Sequence, residues 1–293
     1  MSLFFEQLIL GVATGCVYAS LALALVLIYR STRIVNFAQG EMAMFSTFIA
    51  WQFTQWGWPV WGAIGVTLVI SFLGGCAIER VVIRPVEGSS ILAIVIVTLG
   101  LLLIFNQAAG WVWDFVIKDF PDPFPTGEQR FGDVRISFAH VGTIVVLAVT
   151  VTLLYLLFQK TKIGLAMRAA AANPESSRLV GINVGRMLML GWGLAAVLGA
   201  LAGVIVAPRL FLDPNMMVGV QIYAFAAATL GGFDSPVGAV VGGIIVGVAE
   251  NMAGTYIGFI GSDLKIAVPL IVIFGVLMVK PVGLFGRHVV ARV

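Results

Sequence analysis

Few residues in this 293-residue chain have the types and spacing for covalent chemistry. It holds no G-x-x-x-x-G-K-[ST] phosphate loop, no H-E-x-x-H, no G-x-S-x-G and no cysteine–histidine cluster. Its two cysteines, Cys16 and Cys76, fall in apolar runs and read as small packing residues. His140 and His288 have ligand spacing to nothing. The expectation is no catalytic residue, no metal, no cofactor and no ATP hydrolysis by this chain. It is not read as an enzyme.

The better candidates are polar groups inside apolar runs. Each is costly in hydrocarbon unless it pairs or lines a water-filled path. Asn36, Gln39 and Glu41 cluster in N-F-A-Q-G-E, and Asp234 and Ser235 sit in G-G-F-D-S-P-V-G. One reading is a helix break whose amides and side chains line a path. The other is a plain helix start, with Asn36 as a cap and Glu41 near the positive end of the dipole. Asp234 reads as the cap of a helix beginning at Pro236, and both acids read as lying toward the inner face. Glu250-Asn251 reads as a packed interhelix hydrogen bond. Asn106-Gln107 is either interhelix glue or path lining.

The stretch 160–186 is of another kind. It carries Lys160, Lys162, Arg168, Arg178 and Arg186 against one acid, Glu175. Inside it a short helix has both ends written: Asn173 as N-cap, Pro174 at the first helical position, Glu175 in the first turn, and Gly181 to end it in the left-handed conformation. Leu179 and Val180 are apolar residues in an otherwise polar loop. Such an element is either a plain loop or a docking knob for a soluble partner.

The elements that position these residues follow from composition. The chain is 60% hydrophobic and 11% charged, with a mean hydropathy of +1.06. A soluble domain carries roughly 25% charged residues, so this is an all-α polytopic membrane protein with about eight to nine transmembrane helices, some broken. Apolar runs fall at about 3–29, 38–53, 61–83, 91–113, 138–158, 187–207, 215–230, 239–257 and 264–279. A net charge of +3 with basic residues gathered at span ends does not point to nucleic acid; the surrounding partner is membrane lipid. The start, M-S-L-F-F-E-Q, reads as the first span rather than a removable signal.

Orientation follows from Lys and Arg. Placing Arg30/Arg33, Arg80/Arg84, 160–186 and the tail (Lys280, Arg287, Arg292) on one side puts twelve of the 17 basic residues there. The N-terminus is then periplasmic and the C-terminus cytoplasmic, which needs nine crossings; eight result if 215–230 is re-entrant. The chain reads as a single transmembrane domain with a weak parallel repeat. Arg84-Pro85-Val86 matches Lys280-Pro281-Val282, and the two breaks fall at nearly the same offset, relating 11–88 to 207–284.

N-F-A-Q-G-E-M-A-M-F (36–45), R-A-A-A-A-N-P-E-S-S-R-L-V-G-I-N-V (168–184) and G-G-F-D-S-P-V-G-A-V-V-G-G (231–243) together resemble the LivH-type permease of bacterial branched-chain amino acid ABC importers, over nearly the whole chain. The resemblance implies an inner-membrane subunit forming half of a translocation pore. It implies as partners a second, LivM-type permease, two cytoplasmic ATPases that bind the ATP, and a periplasmic substrate-binding protein. It assigns 173–181 as the coupling helix seated in an ATPase groove. Gln39 stands where many relatives carry His, and Asp234-Ser235-Pro236 where small residues are common. Both departures leave open a permease for another amino acid, an amide or urea. A secondary transporter is the other reading, and it would need ion-coordinating residues at the midplane.

Overall fold

A run of apolar residues with few breakers becomes a long helix, because in an apolar surround only a helix satisfies its own backbone. The computed structural model describes residues 2–131, 134–261 and 264–286. In order its helices are α1 (Ser2–Thr32), α2 (Gln39–Gln55), α3 (Val60–Ile78), α4 (Ile91–Trp113), α5 (Phe138–Lys160), α6 (Lys162–Ala172), α7 (Pro174–Leu179), α8 (Val184–Leu210), α9 (Met217–Gly231), α10 (Pro236–Tyr256) and α11 (Ala267–Val279). Each apolar run of the sequence has its own helix. Among the described residues six helices are long and apolar enough to cross a membrane, and α9 and α11 are shorter apolar helices. The tail residues Arg287, His288 and Arg292 lie outside the described residues.

The sequence reads 114–137 as a loop. Part of it is a hairpin, β1 (Glu128–Phe131) antiparallel to β2 (Val134–Ser137), with Glu128 opposite Ser137 and Gln129 opposite Ile136. These are the only strands among the described residues, so the expected all-α class holds with this small addition.

The chain divides into two compact units. One holds the described residues of Leu27–Pro123 and Val145–Val218. Its centre is α8, with Trp192 fully buried. Small residues on α8 let two helices approach closely, as membrane interfaces require. A Cβ added to Gly75 of α3 would stand 2.6 Å from the Trp192 carbonyl oxygen, and one added to Gly203 would stand 2.8 Å from that of Ala43 in α2. Ser71 Oγ donates to Ser46 Oγ at 2.8 Å, joining α3 to α2. Aromatic contacts join α2 to α4: Phe48 stacks on Trp113 at 5.2 Å, and Phe45 meets Phe105 edge-on at 5.3 Å. After α3 the helix widens into a π turn, Glu79–Ile83, and tightens into a 3-10 turn, Arg84–Val86.

The other unit holds the described residues of Met1–Val26, Phe124–Ile144 and Gly219–Val293. Gly11, Gly15 and Ala19 of α1 meet Gly243 and Gly247 of α10 backbone to backbone. A Cβ at Gly11 would stand 2.8 Å from Val248 Cα, and one at Gly15 would stand 2.7 Å from the Gly243 oxygen. Tyr18 stacks on Tyr223 at 4.6 Å and donates to Glu250 Oε2 at 2.7 Å, which is the interhelix bond expected at Glu250. Asn251 instead donates to Gly247 O within its own helix. After α11, the Leu284 and Phe285 amides donate to the Leu230 and Gly231 carbonyls at 2.8 and 3.1 Å. The turn after Lys280-Pro281-Val282 therefore satisfies the open end of α9.

Gly247→Val tests the α1–α10 contact. The added carbon meets the Gly15 backbone and, at 2.6 Å, the Gly11 oxygen, and backbone cannot step aside as a side chain can. Overpacking costs about 1–3 kcal/mol, so a clear fall in the detergent unfolding temperature is expected. Gly219→Ala, where an added Cβ meets nothing within 4 Å, is the control. Equal unfolding temperatures for both variants would show that the close approach is dispensable.

Candidate functional site

The basic stretch folds as its residues dictate. Thr161 caps α6 by accepting the Gly164 amide at 3.0 Å. Asn173 Oδ1 accepts the Ser176 amide at 2.9 Å, capping α7, with Pro174 and Glu175 in its first turn. Gly181, at φ +83, ends it in the left-handed region, and its amide donates to Arg178 O at 3.1 Å. Beneath, Ala170, Val184 and Leu188 form a small core flanked by Ile182 and Met187. Ser177 is buried on that side, while Leu179 and Val180 are 88% and 76% exposed. Arg178, next to them in the chain, is exposed as well. The result is a rigid projection carrying two bare apolar side chains.

Two parts of this region escape the sequence reading. The first is α6 as a separate helix, although K-I-G-L-A-M-R-A-A-A-A is rich in good helix formers. The second is the clamp behind it. Glu79, 1% exposed, accepts from Arg84 Nε at 3.2 Å and from Nη2 at 2.8 Å. The same Nη2 donates to Gly185 O in the first turn of α8 at 2.7 Å. The pair is five residues apart on a π turn, a spacing that no α-helical pattern brings together.

At the first break α1 ends on Arg33 in the left-handed region, φ 58, and α2 begins after Ala38, which offers no side-chain cap. Asn36 is therefore not the cap that the plain reading assigns. Its Oδ1 accepts the Ala38 amide at 3.0 Å, and its Nδ2 donates to Gln39 Oε1 at 3.2 Å. Gln39 Nε2 in turn donates to Ala195 O of α8 at 3.0 Å. Asn36 and Gln39 are fully buried. Ala195 lies about 16 Å along α8 at 1.5 Å per residue, so Gln39 is level with the middle of that helix. Glu41 lies two residues further on in α2. Glu41 is buried, Asn106 and Asp213 are among its electrostatic neighbours, and its Oε2 has no hydrogen-bond partner. Asn106 Nδ2 donates to Pro214 O at 2.8 Å and to Asn215 Oδ1 at 3.2 Å, tying α4 to the turn before α9.

At the second break the cap is Ser235, whose Oγ accepts the Gly238 amide at 3.0 Å. Asp234 is not the cap. The helix starts at Pro236 as expected, but the residue directly before it has the extended backbone from which a hydroxyl reaches the third amide. Gly232, at φ +97, makes the turn. Among the described residues there is no group of His, Cys, Asp and Glu able to hold a metal ion.

Many apolar helices, two breaks rich in polar groups and a capped projection between long helices define a multi-pass helical membrane protein of the permease class. A family model described as the permease component of branched-chain amino acid transport systems matches residues 7–279. The chain belongs to that family. It is 29% identical to the high-affinity branched-chain amino acid transport system permease protein BraD of Pseudomonas aeruginosa, over 99% of this chain and 98% of that one. It is equally 29% identical to LivH of Escherichia coli K12, with the same coverage. In fold it is similar to a chain of the solved PsaBC structure from Streptococcus pneumoniae in complex with Fab, at TM-score 0.50 and 14% identity, covering 94% of this chain and 91% of that one.

Proposed function

We propose that this chain forms half of the pore of an ATP-driven importer for branched-chain amino acids in the bacterial inner membrane. A LivM-type permease supplies the other half, two cytoplasmic ATPases bind the ATP, and a periplasmic protein delivers substrate. The observation that carries the reading is α7. Its ends are fixed by Asn173 and Gly181, and it displays Leu179 and Val180 to solvent. A self-sufficient transporter has no use for such a projection. Asn173, Pro174, Glu175, Arg178, Leu179, Val180 and Gly181 make up the coupling element in this reading. Asn36, Gln39 and Glu41 at one break, and Asp234 and Ser235 at the other, are the proposed route residues. We also read 11–88 and 207–284 as copies of one unit. In support, each contains a helix, a break, two further helices and a Pro-Val turn.

Copurification tests the class. The tagged chain is expected to bring down a P-loop ATPase, and the complex is expected to take up leucine, with an amide or urea competing poorly. Ion-driven uptake by the purified chain alone would overturn the reading. In the same assay, alanine at Asn36, Gln39 and Asp234 is expected to lower uptake at saturating binding protein. Unchanged uptake would leave these residues as structural anchors.

For orientation we expect 160–186 to be cytoplasmic and 114–137 periplasmic, from the basic asymmetry. Ala172 and Thr126 are exposed. In intact cells an impermeant thiol reagent is expected to label Thr126→Cys and spare Ala172→Cys. The opposite pattern would invert the topology.

A further inference from the structure

A cleft at one end of three long helices has a composition that the transport reading does not use. It is lined by Leu27 and Arg30 from the last turns of α1, Phe158 near the end of α5, Met187 and Leu188 at the start of α8, and Arg168 with its neighbours on α6. It is open to solvent, and the volume within it that the centre of a water molecule can occupy is about 30 Å³. Two guanidinium groups border it and no carboxylate does. Arg168 Nη1 donates to Gln159 Oε1 at 3.1 Å, yet its Nε is buried with no acceptor. An unpaired buried donor on a cation is expensive, and it leaves uncompensated positive charge beside the cleft.

We propose that this cleft binds the phosphate of an anionic phospholipid. Three observations select a lipid over a free ion or a partner's carboxylate. The cleft opens where α1, α5 and α8, all long and apolar enough to cross a membrane, reach their ends together, which is the depth of the headgroups. Its remaining walls are apolar, Leu27, Phe158, Met167, Met187 and Leu188, so they suit the glycerol and first methylenes of a lipid rather than a hydrated ion. Finally, α6 crosses that end carrying Ile163 and Leu165 exposed, as a helix lying in the interface does. Basic pockets between helices on the cytoplasmic side are a recognised way to hold acidic headgroups. The inference goes beyond the transport function and does not depend on the substrate or on the ATPase.

The test is native mass spectrometry of the full chain, alone and with its partner subunits, after exchange into micelles holding equal parts of phosphatidylglycerol and phosphatidylcholine. The wild-type protein is expected to retain phosphatidylglycerol in preference. Arg30→Gln with Arg168→Gln should cut that preference about twenty-five-fold, since each basic residue near an acidic surface contributes roughly fivefold. Ala171→Leu keeps both charges but fills the cleft, and should also abolish the preference while leaving the unfolding temperature near wild type. The assignment is overturned if the wild-type chain shows no preference, or if the preference survives in both variants. It is also overturned if inorganic phosphate binds the lipid-free chain while the lipid preference is absent, which would make this an ion site. Loss of the ATPase from the variants with lipid retention unchanged would overturn it too, because the cleft would then receive a protein carboxylate.

Discussion

Leu179→Ala is expected to uncouple transport from ATP hydrolysis while leaving the permease folded. Leu179 is 88% exposed, so truncation removes no packing within this chain. Any loss must come from what it docks against. An anchor buried in a partner's groove commonly costs about 2 kcal/mol on truncation, roughly thirtyfold in affinity at 1.4 kcal/mol per factor of ten. Gly181→Val attacks the same element from behind. Gly181 sits at φ +83, where a β-branched residue is strained, so the turn that seats α7 on Ala170, Val184 and Leu188 should open. Ser176 is exposed and outside the apolar pair, and Ser176→Ala should be silent. The measurement is substrate-stimulated ATP hydrolysis and uptake by reconstituted complexes. If Leu179→Ala and Gly181→Val both keep full coupled activity, α7 is not the coupling element.

Arg84→Ala is expected to destabilise the chain strongly. Glu79 is 1% exposed, and Arg84 is its ion-pair partner at 2.8 Å. Removing one partner of a buried pair costs about 3–5 kcal/mol because the other charge is left behind. That is a large share of the roughly 5–15 kcal/mol that holds a domain together. Arg84→Lys should fall between, since an ammonium cannot make the two-armed contact that Nε and Nη2 make with this carboxylate. The combination Glu79→Leu with Arg84→Met removes both charges at similar volume and should recover most of the stability. Thermal unfolding in detergent reads all three. An unfolding temperature for Arg84→Ala equal to wild type would show that the pair is not structural. The double variant also separates two roles. It restores packing but lacks the bond to Gly185 O, so coupled hydrolysis that stays low with stability recovered would assign that bond to transmission from α7.

Helix ends show why some boundaries were legible and others were not. The termini of α7 could be read because Asn173 and Gly181 act through their own backbone geometry, over three residues of chain. The ends of α1 and α8 could not. They close on Arg33 and Phe211 at φ 58 and 61, non-glycine residues held in the left-handed region by their surroundings. The cap of α10 was misassigned by one position for a related reason. Asp and Ser are both good caps, and only the extended backbone of Ser235 decides between them.

By itself the sequence determined what depends on composition and on near neighbours. Nine apolar runs become nine helices, because backbone in hydrocarbon must satisfy itself locally. The two breaks follow from their polar and glycine residues, and the capped helix from its own ends. Tertiary structure decided what depends on residues far apart in the chain. It set Gln39 against Ala195 at mid-length of α8, took Asn36 from cap to anchor, paired Tyr18 with Glu250, and brought Arg84 to both Glu79 and Gly185. It also left Arg168 Nε buried without an acceptor beside Arg30. The physical reason is that a polar side chain in an apolar setting must find a partner wherever packing provides one. Which partner it finds is fixed by how glycine-lined helices approach, and that distance is written in no single stretch of the chain.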